Sequence, residues 1–249
     1  HLIPKTANNL ELLEHWRPLT LLNVDYKILM KAISNRFTGV LPSLLHNSQS
    51  ASPNSKIHDN LINLHSFLAT YQNHHRQYQM ADRDIIPFLF SIDFRGAFDN
   101  VSHSFLRFVM EKHGFPGWIV ALVLQTNMNA RTAINNNSVL SSSFRLRRSV
   151  RQGCPLSPYL FLLVINPLLE IVNANEDIMG LTVPHFPQRT FKTIAHADDV
   201  TFLLNSYTSL ARVHEILQIF GEFSGLRLNF EKCHMLPFRE PFSVTHLPD

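Results

Sequence analysis

Three aspartates carry the first chemical signal in this chain. Asp198 and Asp199 stand side by side in TIAHADDVTFLL, residues 193–204, and the apolar runs on either side predict a β-hairpin with the acidic pair at its tip. Asp93 closes a second apolar run, IIPFLFSID, which reads as a strand. Adjacent carboxylates repel, so a fold keeps them solvated in a turn or sets a divalent cation between them. A carboxylate at the end of a buried strand is costly unless water or a metal meets it. If the two strands neighbour one another in a sheet, the three carboxylates converge. Such a set suits two Mg²⁺ ions about 4 Å apart, one activating a hydroxyl and the other bracing a leaving phosphate group. Ordinary turn chemistry accounts for Asp-Asp as well, and on spacing alone it is the favoured reading.

Other chemistry-bearing residues lie in turns and loops. Lys5 and Arg17 flank a predicted hairpin built from LIPK and WRPLTLL. RRSVRQGCPLSP is a basic loop punctuated by Gly153 and two prolines. Lys232 follows LRLNF, which reads as an alternating strand.

These residues have to be positioned by a mixed set of elements. Helical spacing covers Tyr26 to Leu41, then KIHDNLINLHSFLATYQ with Ile57, Leu61, Leu64 and Leu68 on one stripe. Between them HNSQSASPNSK reads as an irregular surface loop. A helix capped at Ser102 and stopped near Gly114 is expected after FRGAFDN, followed by WIVALVLQTNM, a hairpin turning at the Asn run in RTAINNNSVLSSSFRL, and the helix YLFLLVINPLLEIV. A last amphipathic helix carries Leu210, Val213, Ile216, Leu217 and Phe220 and ends at Gly225. Hairpins without regular strand–helix alternation predict an α+β fold, an antiparallel sheet with helices packed on one face.

At 249 residues with 45% hydrophobic and 16% charged residues, the composition is that of a globular chain with a real core. The net charge is only +3, so any basic surface is local. Cys154 and Cys233 exclude a disulfide scaffold and give no zinc spacing, which makes a reducing compartment the default. The most apolar run, Tyr159 to Leu169, is too short for a bilayer, so no membrane partner is expected. The opening HLIPK has no initiator Met and no signal region, and reads as the start of a fragment.

Five blocks in order, LIPK with HWRPLTLLNVDYKILMKAISNRF, SIDFRGAFDNVSH, VRQGCPLSP, AHADD and SGLRLNFEKC, resemble the reverse transcriptase domain of non-LTR (LINE-type) retrotransposons, from about Leu2 to Phe238. The resemblance implies a right-hand polymerase with fingers over 1–85, palm over 86–238, a frayed tail over 239–249, and a thumb absent or truncated. It implies that Asp93, Asp198 and Asp199 bind two Mg²⁺, with Mn²⁺ as a substitute, helped by the backbone carbonyl of Phe94. Phe98 would sit under the sugar of the incoming nucleotide and exclude a 2′-hydroxyl. Lys5 and Arg17 would clamp the triphosphate, Gln152 and Gly153 would pack against the nucleotide and template base, and Arg151 would touch phosphate. Lys232 would protonate the departing pyrophosphate, and His196 would pack near the primer end. The implied partners are an RNA template, a DNA primer, deoxynucleoside triphosphates, and the endonuclease and thumb of a longer polyprotein.

The chain departs from the family pattern at His196, where an aromatic is usual, at Gly96 for Lys, at Ser149 for Gly, and at Asn54-Ser55-Lys56 for Gly-Arg. Three rival readings stand beside the polymerase: a reverse-transcriptase-like domain that binds RNA without synthesis, a metal-dependent nuclease using the same acidic cluster, and a polymerase of the group II intron maturase lineage.

Overall fold

The computed structural model describes residues 2–5, 11, 15–53, 55, 58, 60, 62, 64, 65, 68, 87–128, 130–136, 139–183 and 186–237. In chain order these form β1 (Leu2–Pro4), β2 (Trp16–Pro18), a helix Val24–Leu44, β3 (Phe88–Ile92), helices Ala97–Asn100, His103–Lys112 and Gly117–Met128, then β4 (Arg131–Thr132), β5 (Asn135–Asn136), β6 (Val139–Leu140) and β7 (Phe144–Arg145). Helix Ser157–Ala174, β8 (Leu181–Val183), β9 (Phe186–Phe191), β10 (Thr193–His196), β11 (Asp199–Leu204), helix Tyr207–Ser224, a 3-10 turn Phe230–Lys232 and β12 (His234–Pro237) complete the order. The chain divides into two compact units.

The first unit comprises His1–Leu45, Arg95–Pro167 and Phe220–Arg227. Its long helix buries Met30, Ile33, Phe37 and Leu41, the spacing of one helical face, and leaves Lys27, Lys31 and Arg36 exposed. Phe37 stacks on Phe115 with ring centroids 4.9 Å apart. Ser102 caps the helix His103–Lys112, its hydroxyl accepting from the amide of Phe105. β1 and β2 form the expected antiparallel pair, with Ile3 opposite Arg17.

The second unit comprises His46–Phe94, Leu168–Ile219 and Leu228–Asp249. Its centre is a four-stranded antiparallel sheet in the order β10-β11-β3-β12. Phe88 and Ile92 on β3, and Val200, Phe202, Leu203 and Leu204 on β11, are buried, so the central strands are held by apolar packing as well as by their ladder. Helix Ser157–Ala174 has the length and apolarity to cross a membrane, but Leu160 to Ile165, Leu168, Leu169 and Val172 are buried, as in a core helix.

Several sequence expectations are corrected. LRLNF is not a strand: only Leu228 makes an isolated bridge, to Phe94, and the edge of β3 is taken by His234–Pro237, with Lys232 in the 3-10 turn between them. The segment after His46 is no surface loop, because Gln49, Ser50 and Ser52 are buried. The acidic pair is not the hairpin tip; Ala197 and Asp198 form the turn, and Asp199 already pairs with His196. The β8–β9 hairpin escaped notice because Pro184 and Pro187 interrupt its apolar run. Within the second predicted helix, Leu64 and Leu68 pack on Leu181 and Leu203; Ile57, Leu61, Asn54, Lys56 and the tail 239–249 lie outside the described residues.

Among the described residues, two non-glycine positions have positive φ, Ser149 and Ala197, and Ser149 is the further from the left-handed helical region. Ser149 has φ +105° in a buried setting, where a side chain is disfavoured, and it is fixed there by its amide donating to Val101 O at 3.0 Å and by its carbonyl accepting from His103 Nε2 at 2.9 Å. Ser149→Gly is expected to stabilise the chain by about 1 kcal/mol. Thermal unfolding followed by circular dichroism should then show a Tm rise of roughly 2–4 °C; an unchanged or lower Tm would mean that no strain is stored there.

Candidate active site

The carboxylates belong to the second unit, and strand register positions them. β3 and β11 pair from Leu204 opposite Phe88 to Val200 opposite Ile92, which sets Asp93 and Asp199 one step beyond the last pair at the same end of the sheet. Because side chains alternate, the register that buries Ile92 and Val200 puts the next residues on the other face. Asp198 follows in the two-residue turn between β10 and β11, half-buried like Asp93, while Asp199 is exposed. Only the first turn residue, Ala197, has positive φ, +53°, the pattern of a type II′ turn.

Two residues that the sequence reading passed over hold this geometry. Asn229 donates its amide N–H to Asp93 O at 2.8 Å and its side-chain Nδ2 to Asp93 Oδ2 at 3.2 Å. Gln49 grips the turn from the other side: its Oε1 accepts from Ala197 N at 2.8 Å and its Nε2 donates to Ala197 O at 3.2 Å. Ser48 and Ser50 extend the grip along β10 through Ala195 N to Ser48 O and Ser50 N to Ala195 O, at 2.9 and 2.8 Å. His196 pairs through Nδ1 with the Ser50 hydroxyl at 3.1 Å. Phe94 is buried, and Lys232 is exposed on its 3-10 turn.

Among the described residues no three His, Cys, Asp or Glu side chains are gathered into a set that holds a metal unaided. Mg²⁺ commonly takes one or two carboxylates and completes its shell with water and substrate phosphates. The all-oxygen donors at this sheet end fit that demand, with Asn229 fixing one oxygen of Asp93.

The first unit holds the residues expected to meet a nucleotide. Phe98 lies flat against Phe161, centroids 4.8 Å apart and planes 10° from parallel, so its ring is rigidly backed. The loop 149–152 runs beside it, with Val150 N donating to Phe98 O at 2.8 Å and Thr20 N donating to Gln152 O at 3.1 Å. Gly153 has φ +101°, and a Cβ there would come 2.9 Å from Thr20 O, so only glycine fits. Lys5 and Arg17 are exposed. Arg151 is half-buried, with its guanidinium 4.8 Å over the Tyr26 ring and donating to Thr126 O. Tyr26 in turn meets Cys154 Sγ at 3.6 Å, and burial pushes its hydroxyl above the usual tyrosine range.

Asp99 is a further residue that sequence reasoning missed. Its Oδ2 accepts from Gln152 Nε2 at 3.0 Å. Burial raises its carboxyl above the ordinary range, opposed by the charge of Lys5 and by the Gln152 hydrogen bond.

Likeness to solved structures identifies the architecture. Telomerase from Candida tropicalis in complex with a fragment of telomeric RNA superposes with a TM-score of 0.57 at 13% identity, covering 85% of this chain and 34% of that one, which marks a reverse transcriptase fold built on an antiparallel sheet. A form of the same telomerase without its C-terminal domain gives 0.56 over 88% of this chain. Residues 3–243 match the family model described as reverse transcriptase (RNA-dependent DNA polymerase), and the chain belongs to that family. Its similarity to retrotransposon proteins gives the branch, the non-LTR elements. It is 32% identical over 233 residues to the transposon TX1 uncharacterized 149 kDa protein of Xenopus laevis, covering 93% of this chain and 17% of that protein. It is 26% identical over 235 residues to the Pol polyprotein of the type-1 retrotransposable element R2 from Popillia japonica, covering 93% of this chain and 30% of that protein. The chain thus spans less than a third of either relative.

The Asp99 carboxyl gives a pH-dependent test. A raised folded-state value means that the folded chain binds the proton more tightly than the unfolded one, so the parent loses stability as pH rises from the unfolded carboxylate value, about 4, through the folded value. Asp99→Asn keeps an acceptor for Gln152 and removes the buried charge. Its Tm is expected to exceed the parent's at pH 7, and the difference should close below about pH 4; a difference independent of pH would refute this account.

Proposed function

We propose that this chain extends a DNA primer on an RNA template by attack of the primer 3′-hydroxyl on the α-phosphate of a deoxynucleoside triphosphate, releasing pyrophosphate. The observation that carries the reading is the pairing of Ile92 with Val200, which sets Asp93 beside the strand that begins at Asp199, directly after Asp198. In this reading the fingers occupy 1–85 and the palm 86–238.

Asp93 and Asp198 would hold the divalent cations together with the Phe94 carbonyl, and Asp199 would serve as the third carboxylate. Mg²⁺, or Mn²⁺ in its place, neutralises charge that develops on the transferred phosphate and makes the attacking hydroxyl easier to deprotonate. Lys5 and Arg17 supply positive charge to the triphosphate, and the guanidinium fork of Arg17 suits paired phosphate oxygens. The backbone at Gly153, bare of a side chain, and Gln152 receive the base pair that forms. Phe98, backed by Phe161, is a rigid plate that would exclude a ribose 2′-hydroxyl. Lys232 would give a proton to the leaving pyrophosphate. His196 would meet the primer end, and Arg151 would touch phosphate. The remainder of the polyprotein, including an endonuclease and a thumb, completes the set of partners.

The second reading, a domain that binds RNA without synthesis, draws on His196, which is tied to Ser50 at the position where the family carries an aromatic. Primer extension on a primed RNA template decides between them. Asp93→Asn and Asp198→Asn are each expected to lower extension by about a thousandfold or more, the loss of several kcal/mol of charge stabilisation. A parent that binds primed template and never extends it would leave the binding reading.

Phe98→Ala should raise incorporation of ribonucleotides relative to deoxynucleotides by about tenfold or more, the scale at which pockets discriminate by shape. Single-nucleotide extension with matched ribo- and deoxynucleotide pairs measures the ratio; an unchanged ratio would remove Phe98 from that role.

A further inference from the structure

Asp99 follows Phe98 in the short helix Ala97–Asn100, among groups that the polymerase reading gives to a nucleotide, and it has no role of its own there. A half-buried carboxylate beside such a site repels the triphosphate that the site is meant to hold. Departures of this kind from local rules are expected at functional or strained places. What Asp99 touches is Gln152: its Oδ2 accepts from Gln152 Nε2 at 3.0 Å. Burial raises the Asp99 carboxyl, while the charge of Lys5 and the Gln152 bond oppose that rise and favour the ionised form.

An ionised carboxylate only accepts hydrogen bonds, whereas a glutamine amide carries a donor end and an acceptor end. Asp99 therefore selects one of the two orientations of the Gln152 amide, the one with Nε2 toward the carboxylate. The acceptor end, Oε1, receives no hydrogen bond from a described residue. The backbone around it is already fixed. Thr20 N donates to Gln152 O at 3.1 Å, Val150 N donates to Phe98 O at 2.8 Å, and Gly153 packs its bare Cα against Thr20 O. The side-chain torsions are the freedom that Gln152 has left, and a long polar side chain loses considerable rotamer entropy when a partner orders it. Ordering the amide in advance removes that cost from the binding step.

We propose that Asp99 is a positioning residue for the incoming nucleotide and acts through Gln152: its carboxylate orients the amide so that Oε1, an open acceptor, meets a donor group of the nucleotide or of the base pair it forms. The inference rests on the polymerase reading, which gives Gln152 that contact, and it adds a residue that lies outside both the acidic sheet end and the cations of the triphosphate.

The test is a double-mutant cycle in single-nucleotide extension on a primed RNA template, with kcat and the deoxynucleotide KM measured separately. Asp99→Ala should raise KM about three- to tenfold, the scale of one hydrogen bond, and leave kcat within about twofold. In a Gln152→Ala background the same change should add less than about twofold, because the group that Asp99 orients has gone. Asp99→Asn keeps an acceptor but lets the paired amides flip together. Its KM should return to within about twofold of the parent's, as for a competent fraction of roughly one half. A merely structural role would cost the same in both backgrounds. Equal losses in the two, or an Asn variant as impaired as the Ala one, would overturn the proposal and leave the polymerase standing. Failure of the polymerase reading is separately visible by NMR of the full chain carrying isotopically labelled glutamine, with primed template present, where the Gln152 side-chain amide is the signal missing from Gln152→Ala. A parent that never extends, but whose Gln152 signal answers to a deoxynucleoside triphosphate and loses that answer in Asp99→Ala, keeps the positioned contact and loses the enzyme. A signal that Asp99→Ala leaves in place, or that ignores the nucleotide in the parent, overturns the proposal whatever extension shows.

Discussion

One pairing, Ile92 opposite Val200, decides what the second unit can do. A slip of one residue in either strand would turn its aspartate, Asp93 or Asp199, toward the face where Ile92 and Val200 are buried and send its apolar residues to the opposite face. Mutual repulsion of the carboxylates favours such a slip or any other separation, but weakly, at about 1 kcal/mol for unit charges 4 Å apart in water. Against it stands the burial of Phe88, Ile92, Val200, Phe202 and Leu204, each contributing about 1.5–3 kcal/mol. Packing wins by a wide margin, and the acidic sheet end is a by-product of the apolar register. That order of magnitudes explains how the fold keeps Asp93 and Asp199 at one end of the sheet.

The turn between β10 and β11 needs a different support. Ala197 carries positive φ without being glycine, at a penalty of about 1–3 kcal/mol. The buried Gln49 side chain satisfies both the N–H and the C=O of Ala197 from 148 residues away. Two hydrogen bonds of about 1 kcal/mol each offset the strain and fix the position of the neighbouring Asp198. The segment 46–52 is therefore a brace for the hairpin, which is why its polar residues are buried.

What could be read from the sequence were the features with a local signature. The helical spacing over Tyr26 to Leu41, the Ser102 cap and the alternation around TIAHADDV are local signals that the structure repeats, although Ile28 and Leu29 of that spacing are exposed. The antiparallel sheet and the family followed from motifs in order. Hidden were features whose cause lies elsewhere in the chain. Gln49 looks like any polar loop residue until Ala197 is beside it, and Asn229 looks like a strand residue until Asp93 accepts from it. LRLNF alternates as a strand should, yet β3 offers its free edge to His234–Pro237, and tertiary competition overrode local pattern.

Ser149 and Ala197 both depart from local backbone rules, and the departures have different physical meanings. Ser149 sits where glycine belongs, and its two backbone hydrogen bonds, to Val101 and from His103, would be made equally well by glycine. Its side chain adds strain and no described contact, the mark of drift that a stable fold absorbs. Ala197 also carries positive φ, yet the Gln49 side chain holds both its N–H and its C=O. Strain that organises nothing is removable, whereas strain met by a buried side chain on both its donor and its acceptor fixes a turn. On that reasoning the turn at Ala197, unlike Ser149, is a place where the fold gives up local stability for position.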